Sequence, residues 1–143
     1  MNYFINKKNH YSIFLFHGVI KKKRFSVRNY NSKHIVEKKF IKILKFLKKK
    51  GHALSLDEII FYKKNQIDLP KNTFAITFDD GFENNYSIAA PILDELKIPA
   101  TFYFSTDFVQ NNSLSWIDKI EIMIQHTQKN ILENPLNNKL ENI

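Results

Sequence analysis

The sequence of 143 residues contains no cysteine, two arginines, three glycines and no long apolar run. The absence of cysteine excludes disulfide bonds, thiolate nucleophiles and zinc sites built from cysteine. No segment approaches the roughly 20 apolar residues that a membrane-spanning helix needs. The apolar stretch Ile13–Phe16 is also shorter than a signal-peptide core of about 7–15 residues. The sequence therefore predicts no transmembrane segment and favours a cytoplasmic location.

The net charge of +8 raises the question of an anionic partner such as a nucleic acid. Arg24 and Arg28 are the only arginines among 22 basic residues, although arginine is the usual residue for bidentate recognition of phosphates and bases. The lysines are scattered along the chain. We therefore predict no nucleic-acid partner. A basic nucleic-acid-binding module, which would bind DNA or RNA in a salt-sensitive way, is a further alternative.

Hydrophobic periodicity in the N-terminal half indicates a strand followed by two helices. Tyr11–Val19 is apolar and rich in branched and aromatic side chains, which is typical of a buried strand that ends in a turn at Gly18. Apolar residues at helical spacing predict a helix over Ser32–Lys50, with Ser32 as its N-cap. The segment Ser55–Glu58 has the form of a capping box, which predicts a second, short helix.

The second half of the chain alternates strands and helices. Phe74–Phe78 is a short apolar run of the kind found in parallel strands covered on both faces, and Ala100–Phe104 is another strand. An apolar stripe over Ile88–Leu96 predicts a helix between them, and a further helix is predicted over Trp116–His126 with Ser115 as its cap. Because strand, helix and strand in this order form a parallel crossover unit, we expect an α/β fold.

Two acidic residues followed by a glycine, Asp79-Asp80-Gly81, end the strand Phe74–Phe78. Ligands gather at the carboxyl ends of parallel strands, and two adjacent carboxylates in low dielectric need a cation or a proton to compensate them. With a divalent metal, one acid can bind the ion while the other takes a proton from metal-bound water. The alternative is a surface turn with solvated acids that cap the following helix.

The string around these acids resembles the NodB-type polysaccharide deacetylases, also called carbohydrate esterase family four. The resemblance extends from about Phe14 to Asp118, and the motifs that carry it are Phe16–Val19, Phe40–Gly51, Ser55–Glu58, Phe74–Phe82, Pro91–Leu93 and Ile98–Phe104.

The resemblance implies an α/β fold with the first strands and helices of a partial (β/α) barrel. Residues 1–143 would be the N-terminal part of one NodB-homology domain, with an extension over 1–70, the start of the barrel over 71–128 and a poorly ordered tail over 129–143. The family's general base and metal ligand map onto Asp79 and Asp80, with a divalent metal such as zinc as cofactor. The implied activity is hydrolysis of acetyl groups on N-acetylhexosamine-containing glycans, which makes a glycan or glycoconjugate the expected partner.

The family also has features that this sequence lacks. Its metal site is completed by a His-x-x-x-His motif, and no such spacing occurs in this chain. Its later motifs, which bring an arginine and a tyrosine near the substrate, a second acid pair and a histidine general acid, are missing too. The alternative function is therefore a truncated, catalytically inactive remnant. A barrel opened after a few strands would also associate through its exposed sheet edges.

Two aromatic residues have a functional and a structural interpretation. His17 lies near the end of its strand and could contact the substrate or the metal on the same face as Asp79, or it could be a histidine satisfied by backbone groups. Trp116 could stack on a sugar ring, whereas a single tryptophan at an apolar helix position is more often part of a core. We expect His17 to bind substrate.

Overall fold

A computed structural model of the chain describes residues 9–22, 29, 32–111 and 113–127. Both arginines and the tail over 129–143, which the sequence predicts to be poorly ordered, lie outside the described residues. A π-helical segment, Asn85–Ala89, leads directly into the third α-helix. The strands and α-helices along the described residues are β1 (Tyr11–Phe16), β2 (Gly18–Ile20), β3 (His34–Val36), α1 (Glu37–Lys50), β4 (His52–Ala53), α2 (Leu56–Lys64), β5 (Thr73–Phe78), α3 (Ala90–Glu95), β6 (Ala100–Phe102), α4 (Thr106–Gln110) and α5 (Trp116–His126).

The central strand of the main sheet is β5, whose six residues are all buried. β1 pairs with it in parallel along its whole length, from Tyr11 opposite Thr73 to Phe16 opposite Phe78. The other edge of β5 pairs in parallel with β4 at its beginning and with β6 at its end. The predicted α/β class with a parallel sheet is therefore confirmed, and the continuous apolar run is explained by burial on both faces.

The core lies on both faces of β5 because successive side chains of a strand point in opposite directions. On one face, Phe78 and Phe40 of α1 are fully buried, and their ring centroids lie 5.9 Å apart in an edge-to-face arrangement. On the other face, Ala75 packs in a smaller cluster with Ile59 of α2. The two clusters fix the sheet between helices, so its carboxyl edge is held by a rigid scaffold.

The helix predicted from Ser32 begins later than expected. α1 starts at Glu37 with Val36 as N-cap, and no side chain caps it. The preceding residues form β3, which pairs in parallel with β2 from Gly18 opposite His34 onwards. The prediction is wrong at this end because the branched residues join a strand pair instead of the helix. Ser32 has a φ of 58°, in the left-handed region, so it is not an N-cap.

The strand predicted over Tyr11–Val19 is divided at His17 into β1 and β2, which belong to different sheets. Gly18 begins β2 instead of ending a strand in a turn, so that prediction is wrong. β1 is also not buried on both faces, since Ile13 is 50% and Leu15 is 53% exposed. Among the described residues β1 pairs in the sheet only with β5, so one of its faces and one of its edges are open.

The helices confirm two local predictions. Ser55 and Glu58 form the capping box at the start of α2, and α5 has the predicted bounds with Ser115 as its cap. β6 ends at Phe102, two residues earlier than predicted. None of the helices in the described ranges has the length and apolar character needed to cross a bilayer.

Candidate active site at the carboxyl edge of the sheet

Three strands of the sheet end side by side, and a residue with a polar side-chain group follows each of them. His17 follows β1, Asp79 follows β5 and Tyr103 follows β6. The amide N–H of Asp79 donates to the carbonyl oxygen of Phe16 at 3.0 Å, and that of Tyr103 donates to the carbonyl of Phe78 at 2.8 Å. The ladder therefore continues one step past the strands and holds these residues in a row, about 4.8 Å from strand to strand.

Strand alternation, continued one residue past the strand ends, predicts that this row lies on the face of the sheet opposite the aromatic core. Phe16, Phe78 and Phe102 are in register, and their ring centroids are separated by 5.6 Å and 5.0 Å along the row. The next residue of each strand faces the other way. Asp79 is half-buried there, and Tyr103 is 51% exposed. We therefore expect the predicted base and its neighbours to share one side of the sheet.

Asp80 and Gly81 form the tight turn that ends the strand. Their φ values are 71° and 66°, both in the left-handed region. Aspartate tolerates this region better than most residues. A Cβ atom at position 81 would lie 2.5 Å from Cβ of Phe104, so glycine is required here by close approach as well as by φ. The turn leaves the Asp80 side chain half-buried, directly beside the row.

The fit of a divalent ion to this turn depends on the donors that lie close together. Asp79 and Asp80 offer carboxylate oxygens, which zinc and other divalent ions accept as ligands. In the part of the chain that the structure describes, however, no group of three or more His, Cys, Asp or Glu side chains could hold a metal ion. The two carboxylates therefore do not form a complete metal site with the described residues alone.

A second polar cluster, centred on His34, was not predicted from the sequence. Nδ1 of His34 lies 3.1 Å from Nδ2 of Asn84, and the imidazole packs edge-to-face on Phe82 with centroids 4.6 Å apart. The side-chain oxygen of Asn84 accepts from the amide of Val19 at 3.3 Å. A Cβ at Gly18 would lie 2.1 Å from Nδ1 of His34, so this glycine permits the close packing.

The electrostatics of the cluster favour a neutral imidazole. Burial, and then the Lys33 ammonium, lower the pKa of His34 below its ordinary value of 6.5, although Asp118 and Glu121 act in the opposite direction. Lys33 forms a salt bridge of 3.1 Å with Asp118. Burial raises the pKa of Asp118, but hydrogen bonds from Ser115 and Lys33 outweigh it and hold that pKa below 3.8. Asp118 is therefore ionised at neutral pH.

His17 connects this cluster with the row at the sheet edge. His17 and His34 line one cavity of about 650 Å³, and His17 is half-buried. Trp116 is 71% exposed, so the interpretation of this residue as part of a core is wrong. The structure thus brings His17, Asp79 and Asp80 to one edge and leaves Trp116 on the surface.

Comparison with known proteins gives a consistent result. Residues 66–135 match the family model described as polysaccharide deacetylase. Over 95 residues the chain is 35% identical to the poly-beta-1,6-N-acetyl-D-glucosamine N-deacetylase of Staphylococcus aureus strain MSSA476, which covers 66% of this chain and 31% of that protein. The same values hold for strain MRSA252. The chain thus spans about a third of the length of the curated relatives that it matches.

Solved structures resemble the fold. IcaB from Ammonifex degensii is 27% identical, with a TM-score of 0.56 over 67% of this chain and 38% of that one. The de-N-acetylase from Aggregatibacter actinomycetemcomitans is 23% identical, with a TM-score of 0.62 over 73% and 41%. The deacetylase PplD of Streptococcus pyogenes is 22% identical, with a TM-score of 0.63 over 84% and 54%. The last two likenesses support the fold alone.

A parallel sheet with paired acids after its central strand defines the chain as an α/β protein with a candidate site at the carboxyl edge of the sheet. The family model and the curated relatives support a polypeptide of the NodB-type polysaccharide deacetylase family, and the partial coverage of these relatives fits an N-terminal portion of that domain.

Proposed function

We propose that this chain takes part in the hydrolytic removal of acetyl groups from N-acetylhexosamine-containing glycans, with Asp79 as the general base and Asp80 as a metal ligand. The observation that carries the proposal is the position of the two acids, directly after the buried strand β5 at the carboxyl edge of a parallel sheet. The names of the relatives, which are N-deacetylases of poly-beta-1,6-N-acetyl-D-glucosamine, support an N-acetyl group as the target.

The positions of the residues in the row suggest a role for each of them in the hydrolysis. Asp79 accepts a proton from the attacking water, since an ionised carboxylate within hydrogen-bond reach of a water can act as a base. A divalent ion, when bound, lowers the pKa of its water towards neutrality. His17 and Tyr103 flank Asp79 in the row and bind hydroxyl groups of the sugar. The described residues provide two carboxylates and not a complete ligand set for the ion.

The same proposal includes the wider architecture. The parallel sheet forms the start of a partial (β/α) barrel, with residues 1–70 as the extension and 71–128 as the beginning of the barrel. The proposed substrate is a glycan or glycoconjugate, and the proposed metal is zinc or another divalent ion. The proposed location is cytoplasmic.

Acetate release tests the assignment of the base. The protein is incubated with zinc and β-1,6-linked N-acetylglucosamine oligomers, and acetate is measured over time. Asp79→Asn should lower the rate by about 100-fold or more, the usual scale of general-base catalysis, and Asp80→Asn should also weaken zinc binding. Asp57→Asn, an exposed acid on α2, should stay within about twofold of the wild type. A wild-type rate in Asp79→Asn would remove the base assignment.

A second candidate is a catalytically inactive remnant of the same fold. It is favoured by one observation, namely that no three potential metal-binding side chains converge within the described ranges. The same assay separates the two candidates. Acetate release by the wild type at saturating zinc excludes the remnant, whereas a rate equal to the metal-only blank for both wild type and Asp79→Asn supports it.

A further inference from the structure

A cavity of about 240 Å³ lies beside β2 and β3, and neither Asp79 nor Asp80 lines it. It is enclosed by the loop after the turn, by the start of β3 and by α5. His34, Asn84, Asp118 and Glu121 contribute its polar walls, and Leu114 lies at its rim with 51% of its surface exposed.

Glu121 is the unexplained group in this cavity. Its side chain lines the cavity although the residue is only 4% exposed. Oε2 accepts from the amide of Asn29 at 3.1 Å, whereas Oε1 has no hydrogen-bond partner among the described residues. A desolvated carboxylate oxygen without a partner is costly, and a cationic hydrogen-bond donor relieves that cost. Oε1 of Glu121 is therefore available in the cavity as an acceptor for such a group.

The charges around Glu121 also favour a cation. Three acidic residues, Glu83, Asp118 and Glu121, line the cavity. Lys33 is committed to Asp118 at 3.1 Å, and the lowered pKa of His34 leaves that imidazole neutral near pH 7. A metal ion is less suitable, because no group of three His, Cys, Asp or Glu among the described residues could hold one. An ammonium group, with several N–H donors and a single charge, fits better.

We propose that this cavity binds the protonated amino group of a hexosamine unit, with Glu121 as the group that pairs with the ammonium. The inference rests on the proposed function, because N-deacetylation converts an acetamido group into an amine. His34 lines both this cavity and the larger cavity that His17 of the Asp79 row lines. The proposal therefore places a deacetylated unit in the cavity and its neighbour in the glycan at the row. The site would thus favour glycans that already carry free amines.

Binding to the chain itself is measured without turnover, by calorimetry or by chemical-shift changes, with D-glucosamine at pH 6.5. Glucosamine should bind saturably, and N-acetyl-D-glucosamine, which has no cation, should bind at least tenfold more weakly. Glu121→Gln, which removes the charge and keeps the shape, should weaken glucosamine binding by at least tenfold. Glu95→Gln, an exposed charge-matched control on α3, should change it by less than twofold.

Several results would overturn the proposal. Equal affinity for both sugars, or unchanged glucosamine affinity in a folded Glu121→Gln protein, excludes an ammonium site at Glu121. If Glu121→Gln does not fold, Leu114→Trp at the rim decides, since it should block the cavity and reduce binding, and unchanged affinity again contradicts the proposal. Zinc alone competing with glucosamine in a Glu121-dependent way would indicate a metal site instead. None of these readouts depends on acetate release, so the proposed function can fail independently.

Discussion

At the scale of single residues, His34 couples the stability of the fold to pH. Burial, followed by the Lys33 ammonium, lowers the pKa of its imidazole below 6.5 in the folded protein. The unfolded chain therefore takes up a proton at a higher pH than the folded protein does. As the pH falls through 6.5, the free energy of unfolding decreases, and it is fully retained only above that value.

We expect His34→Asn to reduce this pH dependence. The amide of asparagine can replace Nδ1 towards Asn84, but it does not titrate. Between pH 7.5 and 5.5 the wild type should lose free energy of unfolding with a slope of at most about 1.4 kcal/mol per pH unit for this proton, and the variant should show a smaller slope in urea titrations. His126→Asn, at an exposed position, is the control, and an equal slope in His34→Asn and the wild type would contradict the account.

The residues of the site differ in whether the sequence alone could identify them. Asp79, Asp80 and Gly81 were identifiable because a carboxylate pair and a glycine followed an apolar run. His34 and Glu121 were not, since their contacts join distant segments, with 50 residues between His34 and Asn84 and 92 between Asn29 and Glu121. Only folding reveals such pairs.

At the scale of elements, α2 depends on its capping box. The hydroxyl of Ser55 accepts from the amide of Glu58 at 3.1 Å, and the carboxylate of Glu58 accepts from the amide of Ser55 at 2.7 Å. The backbone hydrogen bond, and then the hydroxyl of Ser55, lower the pKa of Glu58. The helix thus begins at a position fixed by two reciprocal bonds.

Ser55→Ala should therefore lower the free energy of unfolding by about 1 kcal/mol, as for other N-cap serines. The measurement is equilibrium unfolding in urea. Ser87→Ala is the matched control, because Ser87 makes one exposed side-chain bond, to Glu83, within a helical segment. The cap would be unimportant if both variants unfolded at the same denaturant concentration.

Local signals explain which elements were predictable. A capping box and a cap serine are encoded within a few residues, so α2 and α5 were located correctly. The start of α1 was not, because the spacing of Val36 and Phe40 suits a helix, whereas pairing with β2 places residues 34–36 in a strand. Long-range pairing outweighed local spacing there.

At the scale of the whole molecule, the open face of β1 is the most exposed apolar surface of the sheet. Ile13 is 50% exposed and Leu15 53%, and both line an apolar groove of about 570 Å³ together with Phe46 of α1. An edge strand with an apolar face tends to pair with another chain. Self-association through this edge is therefore a prediction of the account.

Ile13→Lys should weaken this association by placing a charge on the face. In sedimentation equilibrium the wild type should show a mass that rises with concentration, and Ile13→Lys should shift towards the monomer. Tyr86→Lys, at a position that is 83% exposed on the π-helical segment, changes an exposed aromatic residue elsewhere and should behave as the wild type. Association that Ile13→Lys leaves unaltered would locate the contact on another surface.

The general architecture was accessible from the sequence because parallel strands carry continuous apolar runs. The division of the first strand at His17 could not be predicted from the sequence. It arises because the two halves of one apolar segment, β1 and β2, pair in different sheets. The exposure of one face and one edge of β1 likewise depends on which strands lie beside it in the folded chain.

Binding of a divalent ion by Asp80, beside the proposed base Asp79 at the end of β5, is tested most directly by a manganese titration followed by paramagnetic broadening of backbone amide signals. The amides of His17, Asp79 and Tyr103 should broaden first, and Asp80→Asn should abolish the effect. Broadening centred on another part of the chain, or unchanged by Asp80→Asn, would contradict it.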